Sequence, residues 1–248
     1  MAIRSSNPST VPKASVRMAM SGRLLSLLLL AVPLVACKSN GQQLSYNSLC
    51  GLAIEQIGSM TSDQLQRWME EEHGAAREVL LDQFPPAASD PLLAAYGWLD
   101  EGAVSGSGTA WLRDGVLFRL EIMGIENGPT FEEAVEAFGP PQVVSASGTT
   151  IYDPVLFVLR LDYPSLGISL ESVDSESRSR LTHAGVLAAP LREGARVTDV
   201  ECYAPGTLED TLARAFFISS PEAMKVQYER RIPWPGFGSL IPLEEKPE

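Results

Sequence analysis

The sequence predicts an α+β protein of two tandem small modules, each a helix or helices packed on an antiparallel β-meander. Three observations lead to this. Apolar residues recur at helical spacing between good caps near residues 61–74 and again near 130–139. Each stretch is followed by runs in which apolar and polar residues alternate, the period of a half-buried strand. An Asp-Gly pair at 114–115 separates two such runs, and Asp-Gly there signals a two-residue hairpin because both central residues must take positive φ.

The chain opens on a basic leader (Arg4, Lys13, Arg17, Arg23) and an apolar run from Leu24 to Ala36 interrupted by Pro33. The run is too short for a bilayer-spanning helix, which needs about 20 apolar residues. Basic leader, short apolar core and small closing residues form the pattern of a secretory signal peptide, expected over 1–36. The leader is long, and Met18 or Met20 would each start a more usual one. The end of the run, Leu34-Val35-Ala36-Cys37, resembles the lipobox of bacterial lipoproteins. The resemblance implies cleavage after Ala36, a diacylglycerol on the Cys37 sulfur and acylation of the new amino group. Each buried CH₂ of such chains adds roughly 0.8 kcal/mol of membrane affinity. Residues 37–46 then form a lipidated tether, and the protein is expected on the extracytoplasmic side of a cell or outer membrane.

Removing residues 1–36, which carry four basic residues and no acidic ones, takes the net charge from −12 to −16. So acidic a body argues against nucleic acid and against electrostatic docking on anionic lipid, which leaves the lipid as the membrane attachment. About 210 mature residues can bury a substantial core. Cys50 and Cys202 remain after Cys37. In an oxidising compartment they could form a disulfide, closing a loop of about 150 residues for roughly 4–5 kcal/mol in the chain-entropy model. The alternative is two buried thiols acting as small apolar side chains.

The first module is expected over 47–128. Residues 47–58 suggest a short helix or turn. Thr61 or Ser62 caps a helix that turns Leu65, Trp68 and Met69 to one side and stops at Gly74. A further helical stretch is expected over 75–84, a loop and short helix around 90–99, then strands at about 109–113 and 116–123. The second module is expected over 129–218. Thr130 caps a helix with Glu132 and Glu133 in its first turn and Phe131, Ala134, Val135 and Phe138 inward; Gly139-Pro140-Pro141 ends it. Val143-Val144, "VLFVLRLDY", "GISLESV" and "RVTDVECY" read as strands, and Thr207 caps a last helix from Leu208 to about Phe217. Residues 219–248 read as an irregular Pro- and Gly-rich tail.

"TFEEAVEAFGPPQVV" with "LRLDYPSLGISLE" resembles a pattern in uncharacterised bacterial lipoproteins and, more loosely, the α+β domain of BamE/SmpA-type outer-membrane assembly lipoproteins. That family packs helices on a three-stranded antiparallel sheet. The marks shared with it, Gly139, Pro140, Tyr163, Pro164 and Gly167, are folding punctuation. The duplicated module, the acidic body and the Trp-Pro-Gly-Phe tail depart from BamE, so its partners and role are not carried over.

Catalytic chemistry is sparse. His73 lies three residues after Glu70, a spacing used in carboxylate-bridged metal sites, but those need a second such pair. A helix-end histidine favoured by the helix dipole is the simpler reading. His183 lies in a polar stretch. Glu132 and Glu133 suit a helix first turn better than a glycosidase acid/base pair. "SGSG" at 105–108 lacks the lysine and helix start of a phosphate loop. No catalytic, cofactor or metal residue is therefore expected. Trp234 and Phe237, held between prolines and glycines, would either dock on the protein's own sheet or serve as a partner surface. The expected function is a non-enzymatic binding or scaffolding role at the membrane surface, with an envelope protein as partner. An envelope hydrolase with a dispersed site and an inhibitor of a secreted enzyme are the rivals.

Overall fold

The computed structural model describes residues 44–74, 77–78, 91–98, 107–149, 152–210, 225 and 229–245. Ser45 caps a short helix α1 (Tyr46–Cys50) through reciprocal bonds with Ser48, and Gly51 ends it at φ 67°, a left-handed conformation that favours glycine. A 3-10 turn (Ile54–Gln56) leads to α2 (Ser62–His73). Thr61 is its N-cap, with its backbone N–H donating to Gln64 Oε1 at 2.9 Å. Leu65 and Met69 are buried, and Trp68 packs beside them against the core.

Two expected helices are corrected. Within 75–84, Arg77–Glu78 is a strand, β1; the rest of that stretch lies outside the described residues. Around 90–99 the chain forms β2 (Leu93–Trp98). Leu-Ala-Ala favours a helix locally, but six consecutive residues of β2 pair with β3 (Ser107–Arg113), and tertiary pairing overrides propensity. The hairpin follows the expectation: Asp114 (φ 52°) and Gly115 (φ 71°) join β3 to β4 (Val116–Met123). A bulge in this ladder leaves Phe118 unpaired, so Leu117 and Leu120, three residues apart, both face the core.

The second half starts with α3 (Phe131–Phe138). Glu133 N–H donates to Thr130 Oγ1 at 3.2 Å, and Thr130 N–H donates to Glu133 Oε2 at 2.7 Å, a full capping box. Strands β5 (Val143–Thr149), β6 (Val155–Tyr163) and β7 (Ile168–Glu176) form a meander, with a 3-10 turn at Pro164–Leu166 before Gly167. Then come α4 (Arg178–Leu181), β8 (Thr182–His183), β9 (Val186–Pro190) and β10 (Asp199–Tyr203). Thr207 and Asp210 form a capping box at the start of a helical turn; the remainder of that expected helix lies outside the described residues. The C-terminal stretch is less irregular than its composition suggests. It carries β11 (Ile232–Pro233), β12 (Leu240–Pro242) and β13 (Glu244–Glu245), short pieces at sheet edges where proline is tolerated.

Among the described residues the main sheet has ten strands, in the order β1-β2-β3-β4-β10-β7-β6-β5-β11, with β13 parallel to β5. A smaller sheet runs β12-β9-β8. The two meanders, β2–β4 and β5–β7, each come after a helix in the chain. They are joined by β10, which pairs antiparallel with β4 on one side and β7 on the other. Residues 41–248 accordingly form one compact unit, and the expected boundary at 128/129 is packed across: a Cβ on Gly128 would lie 2.0 Å from the Val197 carbonyl oxygen.

Strand register separates two faces. One carries Ala110, Leu120, Val200, Cys202, Ile168, Leu170, Leu161, Phe157 and Val144, all buried. Leu65 and Met69 of α2 and Phe131 and Ala134 of α3 belong to the same core. The other face carries Arg119, Glu121, Glu201, Glu171, Arg160 and Asp162, with Trp111 and Ser169.

Candidate functional site: a charged cleft on the sheet face opposite the core

The cleft has a volume of about 270 Å³ and lies over β4, β10, β7 and β6. Its charged residues come from strands that each place a charge at alternate positions between apolar ones, so period-two geometry aims them all at one face. Arg119 Nη2 lies 2.5 Å from Glu121 Oε1, and Arg119 Nε lies 2.5 Å from Glu201 Oε1. Arg160 gathers three carboxylates: Asp162 at 2.7 Å, Glu171 at 2.6 Å, and the second oxygen of Glu201. Arg231 reaches back from the C-terminal segment to the other oxygen of Asp162 at 2.9 Å. Below lies an uncharged layer. Ser169 Oγ donates to Asp162 Oδ1 at 2.6 Å, and Tyr203 Oη lies 3.0 Å from Ser169 Oγ.

Asp162 is fully buried and Glu201 nearly so. Burial alone would push both carboxyls up. For Asp162 the guanidiniums of Arg160 and Arg231 and the Ser169 hydroxyl outweigh it, and for Glu201 those of Arg119 and Arg160 do, so both are held below the ordinary range. Glu121 and Glu171 go the other way. Burial pushes them up, Arg119 and Arg160 respectively offset it only in part, and the charge of Glu201 adds to it. The phenol of Tyr203 is pushed up by burial and by Asp162. The arrangement is an extended ion-pair network that can hold charge in fixed positions and take up protons.

The residues singled out from the sequence lie elsewhere. Cys50 and Cys202 meet in a disulfide, Cα–Cα 6.1 Å, which ties α1 to β10 from the apolar side. Cys37 lies outside the described residues. Trp234 and Phe237 are half-buried, stack edge to face at 5.0 Å and pack against the core. The structure thus makes them part of the fold, where apolar docking outweighs leaving two rings in water. His73 stacks on Trp98 at 4.7 Å and meets Trp68 edge-on at 5.0 Å. These rings line a separate pocket of about 290 Å³ with Leu49, Cys50, Ile122 and Ile125. His183 is exposed in β8. Glu132 is exposed, and Glu133 belongs to the capping box. Of "SGSG", Ser107 and Gly108 open β3. Gly108 is needed there because the Trp98 ring occupies the place of a Cβ, 2.0 Å away. Among the described residues no group of three or more His, Cys, Asp or Glu is arranged to hold a metal.

Sequence reasoning missed the charged cleft. A signal was present: Arg119-Leu120-Glu121 and Arg160-Leu161-Asp162 repeat an Arg-Leu-acid triplet inside strongly apolar strands. Alternation puts both charges of each triplet on one side, and their convergence depends on β10 bringing the two halves together. Comparison with known protein families, with curated proteins and with solved structures gives no match to the chain.

Proposed function

We propose that this is a lipid-anchored envelope protein, held by Cys37 on the extracytoplasmic side of a membrane, whose α+β body has a non-enzymatic binding or scaffolding role. The observation that carries this reading is Leu34-Val35-Ala36-Cys37 behind a basic leader and a short apolar run. Two features of the body support it. The Cys50–Cys202 disulfide suits an oxidising compartment. The sheet face opposite the apolar core offers a concave polar surface whose charges are fixed in place by mutual pairing, which is how proteins present charge for recognition. In this reading the two halves are tandem helix-on-meander modules fused through β10, and an envelope protein meets the cleft.

The test is lipid labelling. Cys37→Ser should abolish incorporation of a fatty-acid probe and block cleavage after Ala36, while the body still folds; undiminished labelling rejects the anchor. Hydrolysis of an envelope substrate by the purified mature chain, lost on His73→Ala or His183→Ala, rejects the non-enzymatic role.

A further inference from the structure

Strand β10 presents two acids to the charged face, and each stands directly opposite a glutamate on a neighbouring strand. Glu201 faces Glu121 of β4, and Asp199 faces Glu171 of β7. Like charges in facing cross-strand positions repel. Two arginines line the cleft with these four carboxylates. Arg119 is shared by Glu121 and Glu201, and Arg160 by Glu201, Glu171 and Asp162. Asp199 takes hydrogen bonds from the Gly124 N–H at 3.0 Å and the Thr198 hydroxyl at 2.8 Å. Glu201 therefore holds two guanidiniums, while Glu121 and Glu171 each share one that is already engaged.

We propose that Glu121 and Glu171 form a proton-operated latch on strand β10: with protons bound the facing pairs cease to repel and the strand is held tightest, and with protons lost it is held most loosely. The position gives the latch leverage. β10 is the strand through which the two halves share a sheet, and its Cys202 carries the bond to α1. The charged and titratable groups facing the two glutamates are Arg119 from β4, Arg160 and Asp162 from β6, Asp199, Glu201 and Tyr203 from β10, and Arg231 beyond Asp162.

Both glutamates are pushed up from an ordinary value of 4.5. A carboxyl raised in the folded state contributes stability that is fully present below its unfolded value and lost as pH rises through the folded one. The latch therefore tightens as pH falls through the raised folded value toward 4.5. Lower still, protonation of Asp162 and Glu201, which are held down, loosens the structure again.

Two measurements on the full mature chain test this. In the first, thermal unfolding is followed from about pH 7.5 down to the ordinary glutamate value of 4.5; a change of about 1 kcal/mol moves the Tm of a chain this size by about 2–4 °C. The wild type should gain a few degrees on acidification. Glu121→Gln and Glu171→Gln should each start higher at neutral pH and show a shallower rise, and the double variant a nearly flat one. A wild-type Tm that is flat or falls over this range overturns the latch, as do variants that keep the full slope. In the second, the side-chain carboxyl carbons of Glu121 and Glu171 are titrated by NMR in the wild type, which keeps the proposal testable if a variant does not fold. Midpoints above the ordinary glutamate value support the latch, and midpoints at or below it overturn it.

Discussion

The two faces of the main sheet are built from the same strands and stabilised by different physics. On the apolar face, Leu120, Ile168, Leu170, Leu161 and Phe157 meet α2 and α3 in a dry core. The gain there scales with area removed from water, roughly 25 cal/mol per Å², and needs no particular pairing. On the opposite face, Arg119, Arg160 and Arg231 hold Glu121, Glu171, Glu201 and Asp162. Asp162 and Glu201 gain there only while their arginines are present, because a buried charge without its partner costs more than the pair contributes. One face tolerates approximate substitutions, and the other does so only at Glu121 and Glu171, which stand opposite another acid.

The largest effect is expected from a cavity on the apolar side. Phe131 is fully buried at the start of α3. Phe131→Ala should lower the unfolding free energy by about 3–5 kcal/mol, read as a fall in the urea midpoint. Phe131→Leu should recover most of it. Equal losses for both variants would show that shape, more than area, governs this face.

The charged face is probed by Asp162→Asn, which leaves Arg160 and Arg231 without the carboxylate between them. The loss should be about 3 kcal/mol at neutral pH. Its pH dependence has a definite sign. Asp162 is held below its ordinary 3.8 by the two guanidiniums, which outweigh burial. Its contribution is therefore present above that value and fades as pH falls through the depressed folded value. The gap between wild type and variant should narrow in strong acid. A gap that stays constant with pH would mean that shape, more than charge, explains the loss.

These two faces were also unequally legible in the sequence. Everything local on the apolar side could be read directly: the Thr130–Glu133 box, the Asp114-Gly115 turn, the bounds of β4 and β6, and the inward face of α2. Each rests on residues within one turn or one strand of one another. The charged cleft could not be read that way, because Glu201 lies some 80 positions from Glu121 and alternation alone marks it as an outward, solvated acid. The strand β10 that assembles the cleft inserts between strands far earlier in the chain, and no local pattern encodes that insertion. Likewise Leu93–Trp98 has a helix-like composition and becomes a strand through its partner.

The C-terminal segment lies between these cases, since it contributes Arg231 to the charged network and Trp234 and Phe237 to the core. Trp234→Ala with Phe237→Ala should lower stability by about 2 kcal/mol, less than full burial would imply because both rings are half-exposed. An unchanged melting temperature together with weakened capture of an envelope protein would instead make the rings a partner surface.

The smallest effect should come from the cap of α3. Thr130→Ala removes the acceptor for the Glu133 N–H while leaving the backbone in place, and N-cap losses of this kind are about 1 kcal/mol. Thr130→Ser keeps the oxygen and should be close to wild type. Glu133→Gln keeps an acceptor for the Thr130 N–H, now at 2.7 Å, and gives up only the charge near the positive end of the helix, about 0.5 kcal/mol. The helix start is also tied from outside: Phe131 N–H donates to the Ala195 carbonyl at 2.8 Å, and Thr130 bridges Arg196. If those bonds alone fix the start of α3, Thr130→Ala and Thr130→Ser will unfold at the same temperature. If the cap contributes as its geometry indicates, the two will separate by a few degrees, and a local signal readable from four residues will have a measurable share in a core that the whole chain assembles.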